Sequence, residues 1–458
     1  MAPLRSLGNT ASIFDDFYGR TGKDAATNPF VHSYWFATLS GNGSDDDEPY
    51  GIAVDSEHSV YVTGWSESHT ASGTTGDRDA VIAKFDLLGT LQWQRTLGGT
   101  AADEGRGIAV DSSDNIYITG KVSTAGFIAK YDKSGSIQWQ HSLSGGTTTG
   151  YSVAVDSSDN VYVCGRSTAG SGAPLFIAKY NSSGVIQGHR FLGNVSSTHG
   201  YSVDVDSSDN VYVFGDTDEA GAGDFDMVIA KYNSSLQIQW VHTLGDTVKE
   251  EGYGCAVDNA GNVYVTGQQN TSGNTTSAIV AKYNTSGSIQ WQMRLYNSNK
   301  AALGYAIAVD NAGSVYVGGH TNDVDSARGH DMFIAKLAAS NGAVTWQRTF
   351  GSSSFERLED IFVKDNCVYA CALSGSSAGN YLITKLPADG SLTGTYNVTG
   401  GTYVYEASSL TSATSGLTDT AQDSSTAPLI DAAGTLTDAE TSMTDQASTF
   451  SSSSDPIE

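Results

Sequence analysis

Four stretches of this 458-residue chain concentrate the side chains with which proteins bind ions or move protons. WSESHTASGTTGDRD (65–79), DTDEAGAGDFD (216–226), KEEG (249–252) and HTNDVDSARGHD (320–331) are acidic, with His69, His320 and His330 interspersed. Asp216, Asp218, Glu219 and Asp224 offer the several carboxylate oxygens that Ca²⁺ wants, but a solvated acidic loop is the simpler reading and the one adopted. His320, His330 and Asp331 match no diagnostic transition-metal spacing. Neither H-E-x-x-H nor a phosphate-cradling glycine loop occurs, and scattered carboxylates alone do not make an acid–base pair. The expectation is a protein without enzymatic activity or cofactor, binding through His69, Asp77, Arg78, Asp216, Asp218, Glu219, Asp224, His320, Arg328 and His330.

Other polar residues recur too regularly to form one active site. Asp55, Asp111, Asp156, Asp206, Asp258 and Asp310 each follow a Val, about 50 residues apart, and Lys364 takes that position in a degenerate seventh copy, IFVKDNCVYA. Lys84, Lys130, Lys179, Lys231, Lys282, Lys336 and Lys385 recur in all seven units. Residues present in every unit serve the unit. DSSDN and DNAGN lack the distal glutamate of an EF-hand and fit tight hairpin turns. Trp93, Trp139, Trp240, Trp291 and Trp346 recur with Gly188 and Gly394 at the equivalent places; they read as packing residues between units, with a sugar-stacking platform as the alternative.

The elements that position these residues are short strands. Each unit contains, in order, AVD, VYVTG, IAKY and GSIQWQ-like runs bounded by Gly, Asp, Asn and Ser, which is the pattern of a four-stranded antiparallel sheet. Runs such as IAV and FIA are apolar on both faces, so each sheet must lie between neighbours, and radial packing supplies that. HSYWFATLSGNGSDD (32–46) aligns with a fourth strand, Trp35 matching Trp93 and Leu39 matching Leu97. The expectation is that it completes the last sheet, whose own fourth strand, SLTGTYNV (391–398), has lost its Trp. Loops between the second and third strands, and from the fourth to the next unit, vary most; both fall on one face, where binding is expected.

The order AVD, VYVTG, IAKY, GxIQWQ, LGG resembles the repeat of the bacterial seven-bladed β-propeller family, over residues 31–400. That resemblance implies an all-β seven-bladed β-propeller of four-stranded antiparallel blades, closed by an N-terminal strand, with non-repeat arms at 1–30 and 401–458. It also implies an Asp before the third strand, matched by Asp79, Asp226 and Asp331 but absent near Gly126 and Leu175. The WD dipeptide pattern and the sialidase box are absent.

With 50 acidic against 24 basic residues and a formal charge of −26, nucleic acid and anionic membranes are excluded as partners. Cys164, Cys255, Cys367 and Cys371 show no paired spacing and read as free thiols, and no run is long enough for a membrane span. Residues 1–29 lack the apolar core of a secretion signal, so synthesis in a host cytoplasm is expected. Phe14, Phe17, Tyr18 and Phe30 mark residues 1–30 as an arm that orders on a partner. SLGNTASIFDDFYGRTGKDA, within that arm, resembles the leading segments of marine bacteriophage virion proteins. Residues 401–458 hold 23 Ser or Thr, nine acids and no Lys or Arg, a composition that does not fold alone. These features lead to the expectation of a capsid- or tail-associated virion protein docked to other virion proteins through 1–30 and 401–458. A host surface glycan or protein is a further expected partner of such a virion protein, and a bacterial surface or secreted propeller that binds glycans or proteins is the alternative.

Overall fold

The computed structural model describes residues 34–40, 46–67, 78–168, 172–193, 197–218, 224–271, 275–296, 301–322, 330–375, 379–398, 401–407, 411–414, 418–422, 431–432, 437–440, 444–447 and 451–456. Alternating Val, Ile and Tyr separated by Asx and Gly turns build seven antiparallel sheets. Blade 1 opens with Asp47–Val54, blade 2 with Asp103–Val110, blade 3 with Thr148–Val155, blade 4 with Thr198–Val205, blade 5 with Glu250–Val257, blade 6 with Ala302–Val309 and blade 7 with Glu356–Lys364. These first strands contact one another in a closed circle, blade 7 meeting blade 1, and so surround the ring axis.

Blade 7 has only three strands of its own, and Trp35–Ser40 supplies the fourth by pairing with Asn380–Pro387. Trp35 lies opposite Lys385, as Trp93 lies opposite Lys84 and Trp139 opposite Lys130, so the closing strand enters in the common register. The stretch 391–398 is not the fourth strand of blade 7. Its Gly394–Val398 part leaves that sheet and lies outermost on blade 6, paired with Gly401–Ala407. The position is already filled by Trp35, and an antiparallel sheet admits one neighbour per edge.

Residues beyond 400 run back around the ring. Gly401–Ala407 adds to the outer strand of blade 6, Thr411–Thr414 to blade 5, Thr418–Gln422 to blade 4, Asp431–Ala432 to blade 3, Thr437–Glu440 to blade 2, Thr444–Ala447 to blade 1 and Ser451–Pro456 to Trp35–Ser40 of blade 7.

The repeated polar residues hold blades together. Asp111 caps its turn by accepting the N–H groups of Ser113 and Asn115 at 2.9 and 2.8 Å, accepts the Tyr117 hydroxyl at 3.1 Å, and pairs with Lys130 at 3.3 Å. Burial pushes its carboxyl up, but the Asn115 and backbone donors outweigh that and hold it below the usual range. Blades 1, 3, 4 and 6 repeat the Asp–Tyr–Lys arrangement. Each Trp reaches across to the next blade: Trp93 Nε1 donates to Lys133 O at 3.1 Å, Trp139 to Ser182 O at 3.3 Å and Trp35 to Leu87 O at 3.0 Å. Gly135, Gly184 and Gly89, all at positive φ, lie flat against those rings, which makes the Trp series an inter-blade packing device. All four cysteines are free and buried.

Candidate functional site

Every first strand carries one β-bulge, and the seven extra residues line a common axial cavity. Five are Tyr50, Tyr151, Tyr201, Tyr253 and Tyr305; the other two are Arg106 and Glu359. A bulge leaves its extra residue out of the ladder and re-aims it, here toward the axis. Neighbouring rings lie 4.9 Å apart for Tyr151 and Tyr201, 5.8 Å for Tyr201 and Tyr253, and 5.0 Å for Tyr253 and Tyr305. The Arg106 guanidinium lies 4.6 Å from the Tyr50 ring and 5.3 Å from that of Tyr151. Burial pushes the tyrosine hydroxyls up, to about 12 for Tyr50 and Tyr305.

Two residues earlier on each strand lies a second layer, and its charged members are paired. Glu104 accepts from Arg106 at 2.6 Å. His199 Nδ1 lies 2.6 Å from Asp216 Oδ1, and Glu251 holds Lys249 at 2.8 Å, Gln268 and the Tyr253 hydroxyl at 3.0 Å. Arg357 donates to both Glu48 and Glu359. Burial raises Glu359 to about 7 despite that guanidinium. The sequence carried a signal for this site, a Tyr two residues before the apolar pair of the first strand, broken only at Arg106 and Glu359. Alternation alone does not show a bulge, so these tyrosines read in sequence as ordinary strand residues.

The expected binding residues divide. Asp216 is buried against His199, and burial raises its carboxyl despite that partner. Asp218 accepts the Ser197 N–H at 2.7 Å, and Asp224 is exposed. Among the described residues no three His, Cys, Asp or Glu are placed to hold a metal ion. His320 and His330 do meet, 5.1 Å apart, packed with Phe355 and Tyr305. Burial lowers His320 to about 3, which keeps the ring neutral. Arg78 covers the Trp65 ring at 3.9 Å and pairs with Glu67 at 3.2 Å. Both border a cavity of about 490 Å³ where blade 7 meets blade 1, lined also by Asp46, Glu48 and Phe355. His69, Asp77, Glu219, Arg328, Phe14, Phe17, Tyr18 and Phe30 lie outside the described residues. Gly375 to Gly379 reads G-x-S-x-G, but it links two antiparallel strands and not the strand and helix that a nucleophile elbow requires.

The Asp before the third strand has a local reason. Asp79, Asp226 and Asp331 lie opposite the fourth-strand glycines Gly98, Gly245 and Gly351, where a Cβ would come within about 2 Å of each carboxylate. The following blades then open with Asp103, Glu250 and Glu356, whose carboxylates accept the N–H after each glycine, at 2.6 Å for Gly99, 3.1 Å for Asp246 and 2.9 Å for Ser352. Blades 3 and 4, which follow units without that Asp, open with Thr148 and Thr198. Burial raises Asp226 to about 6 and Glu250 to about 8.

The model of the SBBP β-propeller repeat matches residues 35–69, 92–121 and 140–171. Those three segments are similar to the β-propeller repeat of that family. A curated relative, the regulatory protein FlaEY of Caulobacter vibrioides, is 25% identical over 170 residues, which is 32% of this chain and 18% of that protein. Thus the repeat protein spans less than a fifth of the relative's length. Among solved structures it is similar to an inactive virginiamycin B lyase from Staphylococcus aureus determined with quinupristin (14% identity, 77% of this chain, 99% of that one, TM-score 0.47). It is also similar to the polysaccharide lyase Uly1 (9% identity, 75% and 90%, TM-score 0.45) and to Sqt1 from Chaetomium thermophilum (10%, 76% and 100%, TM-score 0.46). At such identities none of their chemistry transfers to this ring.

Proposed function

We propose that this propeller is a non-enzymatic structural and binding component of a bacteriophage virion, docked through residues 1–30 and presenting the axial mouth and its variable loops outward. The observation that carries the non-enzymatic part is the mutual pairing of the charged groups at the mouth. Arg106 with Glu104, His199 with Asp216, Lys249 with Glu251 and Arg357 with Glu48 and Glu359 fix one another's positions. Such a surface is preorganised for recognition, since little side-chain freedom remains to be lost on binding. The virion part is supported by the resemblance of residues 6–25 to leading segments of phage virion proteins, and by the chain path. The segment enters the seventh blade at Trp35, so a force on the arm acts directly on the strand that closes the ring.

Mass spectrometry of purified particles tests this: the protein is expected among the particle components, and a chain without residues 1–30 is expected to fold but fail to incorporate. Normal incorporation of the shortened chain overturns the docking role. A second reading, recognition of a host glycan or protein, is favoured by the cavity between blades 7 and 1, where Trp65, Arg78, Glu48 and Phe355 combine rings with hydrogen-bonding groups. Glycan-array binding that Arg78→Ala and Glu48→Gln both abolish would support it.

A further inference from the structure

The segment beyond residue 400 contains a hidden repeat. One apolar position of each outer strand, four residues after the Trp site, is Leu39, Leu97, Leu143, Leu192, Leu244, Leu295 or Phe350. Facing them across the outermost ladder stand Ser452, Asp445, Asp438, Asp431, Asp419, Ser412 and Tyr405. Five of the six steps between these positions are seven residues long, the one exception being the step of twelve from Asp419 to Asp431. A Thr or Ser comes just before the facing residue in five units, as Thr411, Thr418, Thr437, Thr444 and Ser451. Seven extended residues reach at most roughly 25 Å, which sets the distance from one blade edge to the next that each unit can bridge.

We propose that residues 401–456 are an intramolecular girdle, a seven-unit repeat of seven residues matched in register to the seven blades, and that the rim it occupies is a strand-accepting surface. Without it, each outer strand would present a row of unpaired N–H and C=O groups, the template on which other chains add strands. The natural occupant is this chain's own segment. Its composition suits the role: Ser and Thr favour extended backbone without demanding burial, and a segment with eight acids and no Lys or Arg repels a second copy of itself. The last unit, Ser451–Pro456, pairs with Trp35–Ser40 on the side away from Asn380–Pro387, so the ring-closing strand is held from both edges.

The experiment compares the full chain with a chain ending at Gly400, by amide hydrogen exchange and light scattering. The expected result is at least tenfold faster exchange in Leu91–Gly98, Ile137–Ser144 and Ile238–Gly245, with concentration-dependent association that a synthetic 401–456 peptide reverses. Because the shortened chain can fail to fold, D438P and D445P in the full chain give a second reading. Proline has no N–H to donate, so faster exchange confined to the outer strands of blades 2 and 1 is expected. Unchanged exchange in those strands, together with a monomeric shortened chain, overturns the girdle.

Discussion

Blades 1 to 6 and blade 7 perform the same task with different chemistry. In blade 2 the chain runs through all four strands, and Lys130 meets Asp111 and the face of Tyr117. In blade 7 the fourth strand comes from far away in sequence, and the Asp position is Lys364, whose ammonium donates to Asp55 O of blade 1 at 2.6 Å. Lys385 is consequently fully buried, its Nζ without a hydrogen-bond partner among the described residues, 5.7 Å from the Tyr369 ring and close to the Cys367 thiol. Burial lowers its affinity for the proton. His58 of blade 1 fills the place instead, with Nδ1 3.3 Å from the Tyr369 hydroxyl and Nε2 3.3 Å from Asp365. The seam thus exchanges an ion pair within one blade for polar contacts between its two sides.

The sharpest way to break that contrast is to remove the closing strand's anchor. Trp35 is 1% exposed, stacked on Phe85 at 6.4 Å, so Trp35→Ala should cost roughly 3–5 kcal/mol in urea unfolding. Trp139 is only half-buried, and Trp139→Ala should cost less; equal losses would mean that the seam is not special. The lysines should differ in sign. Lys130→Met leaves buried Asp111 without its cation and should destabilise by roughly 3 kcal/mol. Lys385→Met removes an unpaired buried charge and should stabilise by about 1–2 kcal/mol. Loss of stability in both would show that Lys385 has a partner in solution.

A smaller effect concerns junctions between continuous blades. Glu250 at about 8 and Asp226 at about 6 are both raised above their unfolded values, so the folded protein holds more protons than the unfolded chain between those limits. Their contribution is present in full below the unfolded values, near pH 4, and is lost as pH rises through 6 and 8. Glu250→Gln, a neutral mimic of the protonated acid, should flatten the melting temperature across that window; an unchanged slope would remove this pair from the account. The smallest effect is expected at the exposed Asp224, where Asp224→Asn should change stability by less than about 0.5 kcal/mol.

The blades were readable because burial on both faces imposes a side-chain pattern that repeats, and Trp35 was recognisable because a closing strand must satisfy the same neighbours as Trp93. The Tyr ring was less visible: Tyr50 or Tyr201 on a strand reads as one more alternating residue until a bulge turns it to the axis. Part of stretch 391–398 pairs at blade 6 and not blade 7 because its backbone suits any open edge, and sequence does not say which edge is already taken.

The amino-acid sequence by itself determined the number of blades, the turns, the service of the repeated Asp and Lys to each unit and the packing of Trp between units, since these rest on local patterns copied in every unit. Only the tertiary structure decided that seven bulge residues share one cavity and that residues beyond 400 line the rim. The physical reason is that main-chain pairing selects a register and an edge but asks little of side chains. It therefore leaves only a faint trace, here an Asp or Ser every seven residues, in the sequence that adopts it.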